Sequence, residues 1–300
     1  MTGVDVAKRI LPPLVLDAAR RAREATARRR FVAGGRVPWS PGYNETKRDL
    51  LRRALADEAL LAAFRGGKAL PPTYAVGFDE RLVEYPWALA RLPPGPGRVL
   101  DAGSVLNNPE LLRHAALREK KVDILTLGPE EGCYWWTGAS YVFDDLRRLP
   151  FRDALYDDVV CVSTLEHVGF DNTGYTGDVR HRESDPTSHR TAIAEFARVL
   201  RPGGSLLLTV PFGKLVRIEV GQQFDEALLD EAVRAFGPAA SVERSFYAYS
   251  REGWRAATAA ECSDLEFVRW RAFQPWPKPL PVEPDLAASA RAVACVRVVK

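Results

Sequence analysis

The chain has 300 residues, 46% of them hydrophobic and 27% charged, with 42 Lys and Arg against 39 Asp and Glu and a formal net charge of +3. These proportions exclude a disordered chain, a collagen and a coiled coil, and a charge this small points to neither a polyanion partner nor an acidic substrate. The length suits two units of about 150 residues or one decorated α/β domain. Cys133, Cys161, Cys262 and Cys295 form no C-x-x-C pair, which argues against a zinc cluster or a dithiol redox motif and for a reducing, cytoplasmic setting. No uninterrupted apolar run nears the ~20 residues of a membrane span. The apolar stretch at the start is broken by Pro12 and Pro13 and followed by Asp17, so it does not read as a signal peptide.

Residues 1–53 carry thirteen Lys and Arg against five Asp and Glu, a local balance of +8. Arg20, Arg21, Arg23, Arg28, Arg29 and Arg30 form its centre, either as a solvated helix face or as a patch for phosphate groups. From Asn44 to Phe64, Leu50, Leu51, Ala54, Leu55, Ala59 and Leu61 recur near the ~3.6-residue helical period. Gly66 and Gly67 end that helix. A second helix is expected over Glu80–Leu92, before the break Pro93-Pro94-Gly95-Pro96-Gly97. This places a helical cap over residues 1–94 and the main domain over 95–300.

Strands and helices then alternate. Strands are expected at Arg98–Ala102, Val122–Leu127, Ser140–Phe143, Asp157–Ser163 and Ser205–Val210. Helices are expected at Asn108–Glu119, Thr191–Leu200 and Phe224–Phe236. Val242–Tyr249 and Ala292–Val299 read as closing strands around an insertion at about 251–290, within which the Trp- and Pro-rich stretch Gln274–Pro284 reads as an ordered loop. Apolar strands separated by helices indicate βαβ units and a parallel sheet.

Four segments carry the chemistry. Strand Arg98–Ala102 ends in Asp101 and Gly103, where a parallel sheet receives ligands and a glycine admits close approach. A full Gly-x-Gly-x-Gly is absent, since positions 105 and 107 are Val and Asn. The others are Phe143-Asp144-Asp145-Leu146-Arg147-Arg148-Leu149-Pro150-Phe151 with Tyr156-Asp157-Asp158-Val159-Val160, then Ser163-Thr164-Leu165-Glu166-His167-Val168, then Arg198-Val199-Leu200-Arg201-Pro202-Gly203-Gly204. In this order and spacing, over about residues 98–212, they resemble the class I S-adenosylmethionine-dependent methyltransferases of the methyltransferase type 11 group. Gly77–Trp87, Leu165–Asn172 and Ala292–Lys300 look like a bacterial subset that modifies sugars or specialised metabolites.

The resemblance implies a Rossmann-like α/β fold, with a seven-stranded, mostly parallel sheet, helices on both faces and the N-terminal helical layer added. It implies S-adenosylmethionine as cofactor, with Asp101, Gly103, Ser104 and Asn107 matching the first loop. The acidic position at the end of the second strand, which takes the ribose hydroxyls, falls here on Thr126. A hydroxyl cannot hold both as a carboxylate can, so either Thr126 does this with help, or Glu130 or Glu131 reaches in. Asp145 matches the acceptor from the adenine amino group, with Asp144 as its neighbouring competitor, and Leu146 supplies the adjacent N–H. Ser163 and Leu165 line the cofactor after the fourth strand.

An alcohol acceptor must lose a proton during methyl transfer. His167 is the leading base, with Glu166 beside it, although the pair also suits a loop-shaping role. In some relatives that Glu-His pair and a further Glu bind a divalent cation. Ser163 stands at the third position here, so no metal is expected. The long segment Gly169–Arg190 reads as part of an acceptor pocket through Asn172, Tyr175 and His189, with His189 and His181 as reserve bases. Trp39, Tyr43, Trp135 and Trp136 either face a flat acceptor or pack the layer. The expected activity is methylation of a small molecule, most readily a hydroxyl of a sugar or specialised metabolite. The alternatives are a degenerate cofactor-binding protein and an RNA methyltransferase; no membrane partner is expected.

Overall fold

The central strands alternate their side chains between two separate hydrophobic cores. Val99, Val160, Val162, Leu207, Val293 and Cys295 face one. Leu100, Ala102, Val159, Cys161, Leu206, Leu208, Val210, Ala294 and Val296 face the other. That is the period-two pattern of strands covered on both faces. The computed structural model describes residues 13–130, 132–268 and 282–300. Glu131 and most of Gln274–Pro284 lie outside them.

The strands of the main sheet are β1 (Gly97–Ala102), β2 (Lys120–Thr126), β3 (Ser140–Phe143), β4 (Tyr156–Val162), β5 (Leu200–Pro211), β8 (Ser241–Ser250), β9 (Gly253–Ala257) and β10 (Ala292–Val299). Their order is β3-β2-β1-β4-β5-β10-β8-β9. Strands β1 to β5 are mutually parallel, whereas β10 runs antiparallel to β5 and β8, and β9 antiparallel to β8. This is the expected Rossmann-like sheet with eight strands in place of seven. The eighth, β9, comes from the stretch assigned by sequence to an insertion. A separate hairpin pairs β6 (Val216–Ile218) with β7 (Gly221–Gln223). The order reverses direction between β1 and β4, which opens a crevice at their carboxyl ends.

One face is covered by α1 (Pro13–Ala33), α2 (Tyr43–Ala56), α3 (Glu58–Arg65) and α4 (Arg81–Leu89). Their buried residues Phe31, Leu51, Phe64, Leu82 and Trp87 share one cluster with Val99, Val160 and Tyr247 of the sheet. The other face carries α7 (His189–Val199) and α8 (Glu226–Ala235), which follow two short helices, α5 (Pro109–Leu112) and α6 (Thr173–Thr176). Helix α9 (Ala259–Cys262) opens with a capping box between Thr258 and Glu261.

Two helix expectations are corrected. Asn44–Phe64 is not one helix, because Asp57 takes an extended conformation and its carboxylate accepts the N–H of Leu60, ending α2 and capping α3. Asn108–Glu119 is helical only over α5. There the His114 ring accepts the N–H of Ala116 at 3.2 Å, and the chain continues as turns. The basic N-terminal stretch is largely a solvated face: Arg21, Arg23, Arg29 and Arg30 are exposed, and Arg28 meets Asp49 at 3.5 Å.

Within the helical layer, α2 is tied to the chain just before α4 by buried polar contacts. Tyr43 donates its hydroxyl to Asp79 at 2.6 Å and accepts the Asp79 N–H at 3.0 Å, while Lys47 pairs with the same carboxylate at 2.7 Å. Tyr43→Phe leaves a buried carboxylate and a buried N–H each short of a partner. It is expected to cost about 1–3 kcal/mol, read as a lower urea midpoint at unchanged slope.

Candidate functional site

Gly103 closes β1 at φ +115, and a Cβ built on it would lie 2.3 Å from the side chain of Thr164. The loops after β1 and β4 therefore touch at the point where the strand order reverses. Two cavities open here. The first, of about 370 Å³, is lined among others by Gly103, Thr126, Glu130, Asp144, Asp145 and Leu146. The second, of about 320 Å³, is lined among others by Glu80, Glu166, Ile218, Val220, Gln222 and Phe267. Arg81, Ser163, His167 and Tyr175 line both.

Glu130 gathers polar groups beside the first cavity; Thr126 lines that cavity with it, whereas Ser104 and Asn107, expected at the cofactor, line neither cavity. The Glu130 carboxylate accepts from Ser104 Oγ at 2.8 Å, Asn107 Nδ2 at 3.0 Å and, more loosely, Thr126 Oγ1 at 3.4 Å. Thr126, at the end of β2, thus stands within loose reach of the Glu130 carboxylate. Elsewhere in the wall of the first cavity Asp145 is held by Arg147 Nη2 at 2.6 Å, and Arg147 is held in turn by Glu183 at 2.6 Å and 2.7 Å. Burial opposes ionisation of Asp145, but its bonds to Arg147 keep its carboxyl below the usual range. Asp144 lines the cavity beside it.

Asp101 lines neither cavity. It is fully buried, and its two oxygens accept the N–H groups of Val105 and Leu106 at 3.0 Å and 2.8 Å. Burial pushes it up to about 8 despite those donors. Its contacts fold the loop that carries Ser104 and Asn107. Two expected contacts move elsewhere. Leu165 is wholly inside the second core, because its turn points it back under the sheet. His189 is also fully buried. Its Nδ1 bonds the carbonyl of Pro186 at 2.9 Å and its ring packs edge-on to Phe224, so it lines neither cavity.

His167 ends a single helical turn after β4. Its Nδ1 lies 2.6 Å from the carbonyl of Val220, in the β6–β7 hairpin. A carbonyl only accepts, so Nδ1 carries the hydrogen and Nε2 the lone pair. Burial lowers the His167 pKa from its ordinary value. Glu166 is buried, with Oε1 3.9 Å from His167 Nε2 and Oε2 without a partner. Burial drives its pKa well above the usual range. In the segment Gly169–Arg190, Asn172 ties the loop by donating to the carbonyls of His167 and Phe170, each at 3.0 Å. Tyr175 stacks edge-on against His167 at 5.7 Å. Asn172 and His181 line the first cavity.

The sequence reading missed Arg81, Glu80 and Glu84, although they lie in the quoted stretch Gly77–Trp87. Glu84 is fully buried, pairs with Arg81, and accepts from Ser163 Oγ at 2.6 Å and Thr209 Oγ1 at 2.7 Å. The one available signal was three acids and an Arg within six positions of an otherwise apolar helix. Of the four aromatic candidates, Trp39 and Tyr43 pack the layer, Trp39 donating to the Ala288 carbonyl at 2.8 Å, whereas Trp135 and Trp136 stand 69% and 55% exposed.

Residues 108–208 match the family described as methyltransferase domain. None of the curated proteins matches the chain. Among solved structures, a [4+2]-cyclase, SpnF, is 19% identical, with the match covering 52% of this chain and 57% of that one at a TM-score of 0.38. An S-adenosylmethionine-dependent methyltransferase from Thermotoga maritima is 14% identical, over 84% of this chain and 98% of that one, at 0.42. One from Methanosarcina mazei is 13% identical, over 71% and 96%, at 0.42.

Gly103→Ala forces a side chain into a left-handed backbone and against Thr164. Urea unfolding should register a loss on the order of 1–3 kcal/mol. Adding Thr164→Gly, which clears the obstructing atoms, should recover part of it; no recovery would place the strain elsewhere.

Proposed function

We propose that this chain, whose residues 108–208 belong to the class I S-adenosylmethionine-dependent methyltransferases, methylates a small molecule, most readily at a hydroxyl of a sugar or specialised metabolite. When bound, S-adenosylmethionine supplies an electrophilic methyl group. The first cavity fits that cofactor. Gly103 leaves bare the strand end that a Cβ would obstruct, Glu130 can take the ribose hydroxyls with Ser104, Asn107 and Thr126 around it, and Asp145 or Asp144 can accept from the adenine amine beside the Leu146 N–H. The second cavity receives the acceptor, with the layer of residues 1–94 forming part of its wall through Glu80 and Arg81. Unpaired cysteines, three of them buried, accord with the cytoplasmic setting proposed for this activity.

The observation that carries the reading is the place of His167, in the wall common to both cavities with its Nε2 lone pair unused by the hairpin. It can take the acceptor's proton as the oxygen is methylated. The carbonyl of Val220 then keeps the Nδ1–H and fixes the ring. Glu166, held protonated by burial, cannot compete as the base. Arg81 bears on both sites and owes its place to Glu84.

His167→Ala should lower turnover by roughly 100- to 10,000-fold and leave cofactor affinity nearly unchanged. Parent activity should rise with pH as His167 loses its proton. Burial lowers that pKa, so the limb should lie below the ordinary value of about 6.5. A variant with more than a tenth of parent turnover, or a limb above that value, would sink the assignment. Since Ser163 replaces the third ligand of the metal-binding relatives, activity should persist in chelator. Loss there, restored by magnesium, would overturn the metal-free mechanism.

A further inference from the structure

The wall of the second cavity holds more acid than its cation can balance. Glu80, Arg81 and Glu166 line it, and Glu84 stands behind as the partner of Arg81. Three carboxyls thus surround one guanidinium, and Glu80, Glu84 and Glu166 are only 6%, 0% and 4% exposed. Two of the three are satisfied: Glu84 by Arg81, Ser163 and Thr209, and Glu80 by Ser289 Oγ at 3.1 Å and the Ala290 N–H at 3.2 Å. Glu166 is not, since its Oε2 has no hydrogen-bond partner and the His167 ring nitrogen 3.9 Å from Oε1 is beyond hydrogen-bond reach.

We propose that the second cavity takes an acceptor carrying a protonated amine in addition to the hydroxyl that is methylated, with Glu166 receiving the ammonium and Glu80 in the same wall. The inference rests on reading that cavity as the acceptor side. An anionic acceptor would meet three carboxyls around a guanidinium already paired. A neutral polyol could hydrogen-bond the Glu166 carboxyl but brings no charge to draw the proton off it. An ammonium satisfies it and displaces the proton that burial holds there: the carboxylic acid gives its proton to solvent and becomes the carboxylate of an ion pair. Pro211, Ile218, Val220 and Phe267 offer apolar surface to the carbon frame. The volume of about 320 Å³ suits an amino sugar or a metabolite of that size.

Glucosamine, glucose and glucuronate share one frame and differ in charge. Calorimetry on the full chain saturated with S-adenosylhomocysteine should give glucosamine at least tenfold tighter binding than glucose, with glucuronate weakest. Repeating the titration in buffers of different ionisation enthalpy should reveal proton release with glucosamine alone. Glu166→Gln keeps the shape and removes the charge. It should abolish both the preference and the proton release while leaving S-adenosylhomocysteine affinity within twofold of the parent, which also certifies its fold. Glucosamine binding no tighter than glucose, the case where neither binds included, or a preference that survives Glu166→Gln, overturns the inference. Failure of the parent to bind S-adenosylhomocysteine would strike the cofactor reading instead.

Discussion

One carboxylate joins the helical layer to the chemistry. Glu84 sits in α4 with no access to solvent, takes hydrogen bonds from Ser163 at the end of β4 and Thr209 in β5, and pairs with Arg81 one helical turn earlier. A buried charge is tolerable only when paired and hydrogen-bonded, and stripping any partner leaves the remainder uncompensated. Ser163 is held by this bond at a positive φ of 38°, from which the chain enters the turn carrying Glu166 and His167. The direction of His167 therefore depends on a residue about eighty positions earlier. The layer cannot be treated as a detachable lid, because it supplies the buried carboxylate to which Ser163 and Thr209 donate.

A second fixed point comes from the opposite side. The hairpin of β6 and β7 lays the Val220 carbonyl on His167, and Gly221 follows at a distance where a Cβ would stand 3.0 Å from Nδ1. A larger residue there would press on the ring or lengthen its bond. Backbone on one side and the Glu84 network on the other thus set the orientation of the imidazole between the two cavities, without help from Glu166.

The sheet was legible because its signal is local. Alternating apolar strands, a Gly turn after Asp101 and the Arg201–Gly204 break each declare themselves within a few residues, and a mostly parallel sheet followed. What escaped the sequence was a local cap in one case and depended on distant partners in the others. Asp57 divides a helix that periodicity alone joins, since its carboxylate takes the N–H of Leu60. Glu130, which the sequence already offered beside Thr126, gains Ser104 and Asn107 on its carboxylate only once the loops after β1 and β2 are folded together. The Glu80, Arg81 and Glu84 group reads as a polar face of an amphipathic helix until Ser163, Thr209 and Ser289 are seen against it. His189 looked like a pocket residue because a long polar loop surrounds it in sequence, yet it opens α7 and turns inward onto Phe224.

Burial also acts in opposite directions on the two members of the Glu166–His167 pair. Both lose water, and loss of water disfavours whichever form is charged. For Glu166 that form is the carboxylate, so burial favours the protonated acid, which is a poor proton acceptor. For His167 it is the imidazolium, so the ring stays neutral and retains the Nε2 lone pair. One environment thereby gives two adjacent residues opposite capacities, an acid that can donate and a base that can receive. At 3.9 Å they are too far apart to neutralise each other by direct proton exchange. A mutual ion pair would have cancelled both capacities; the gap between them preserves both.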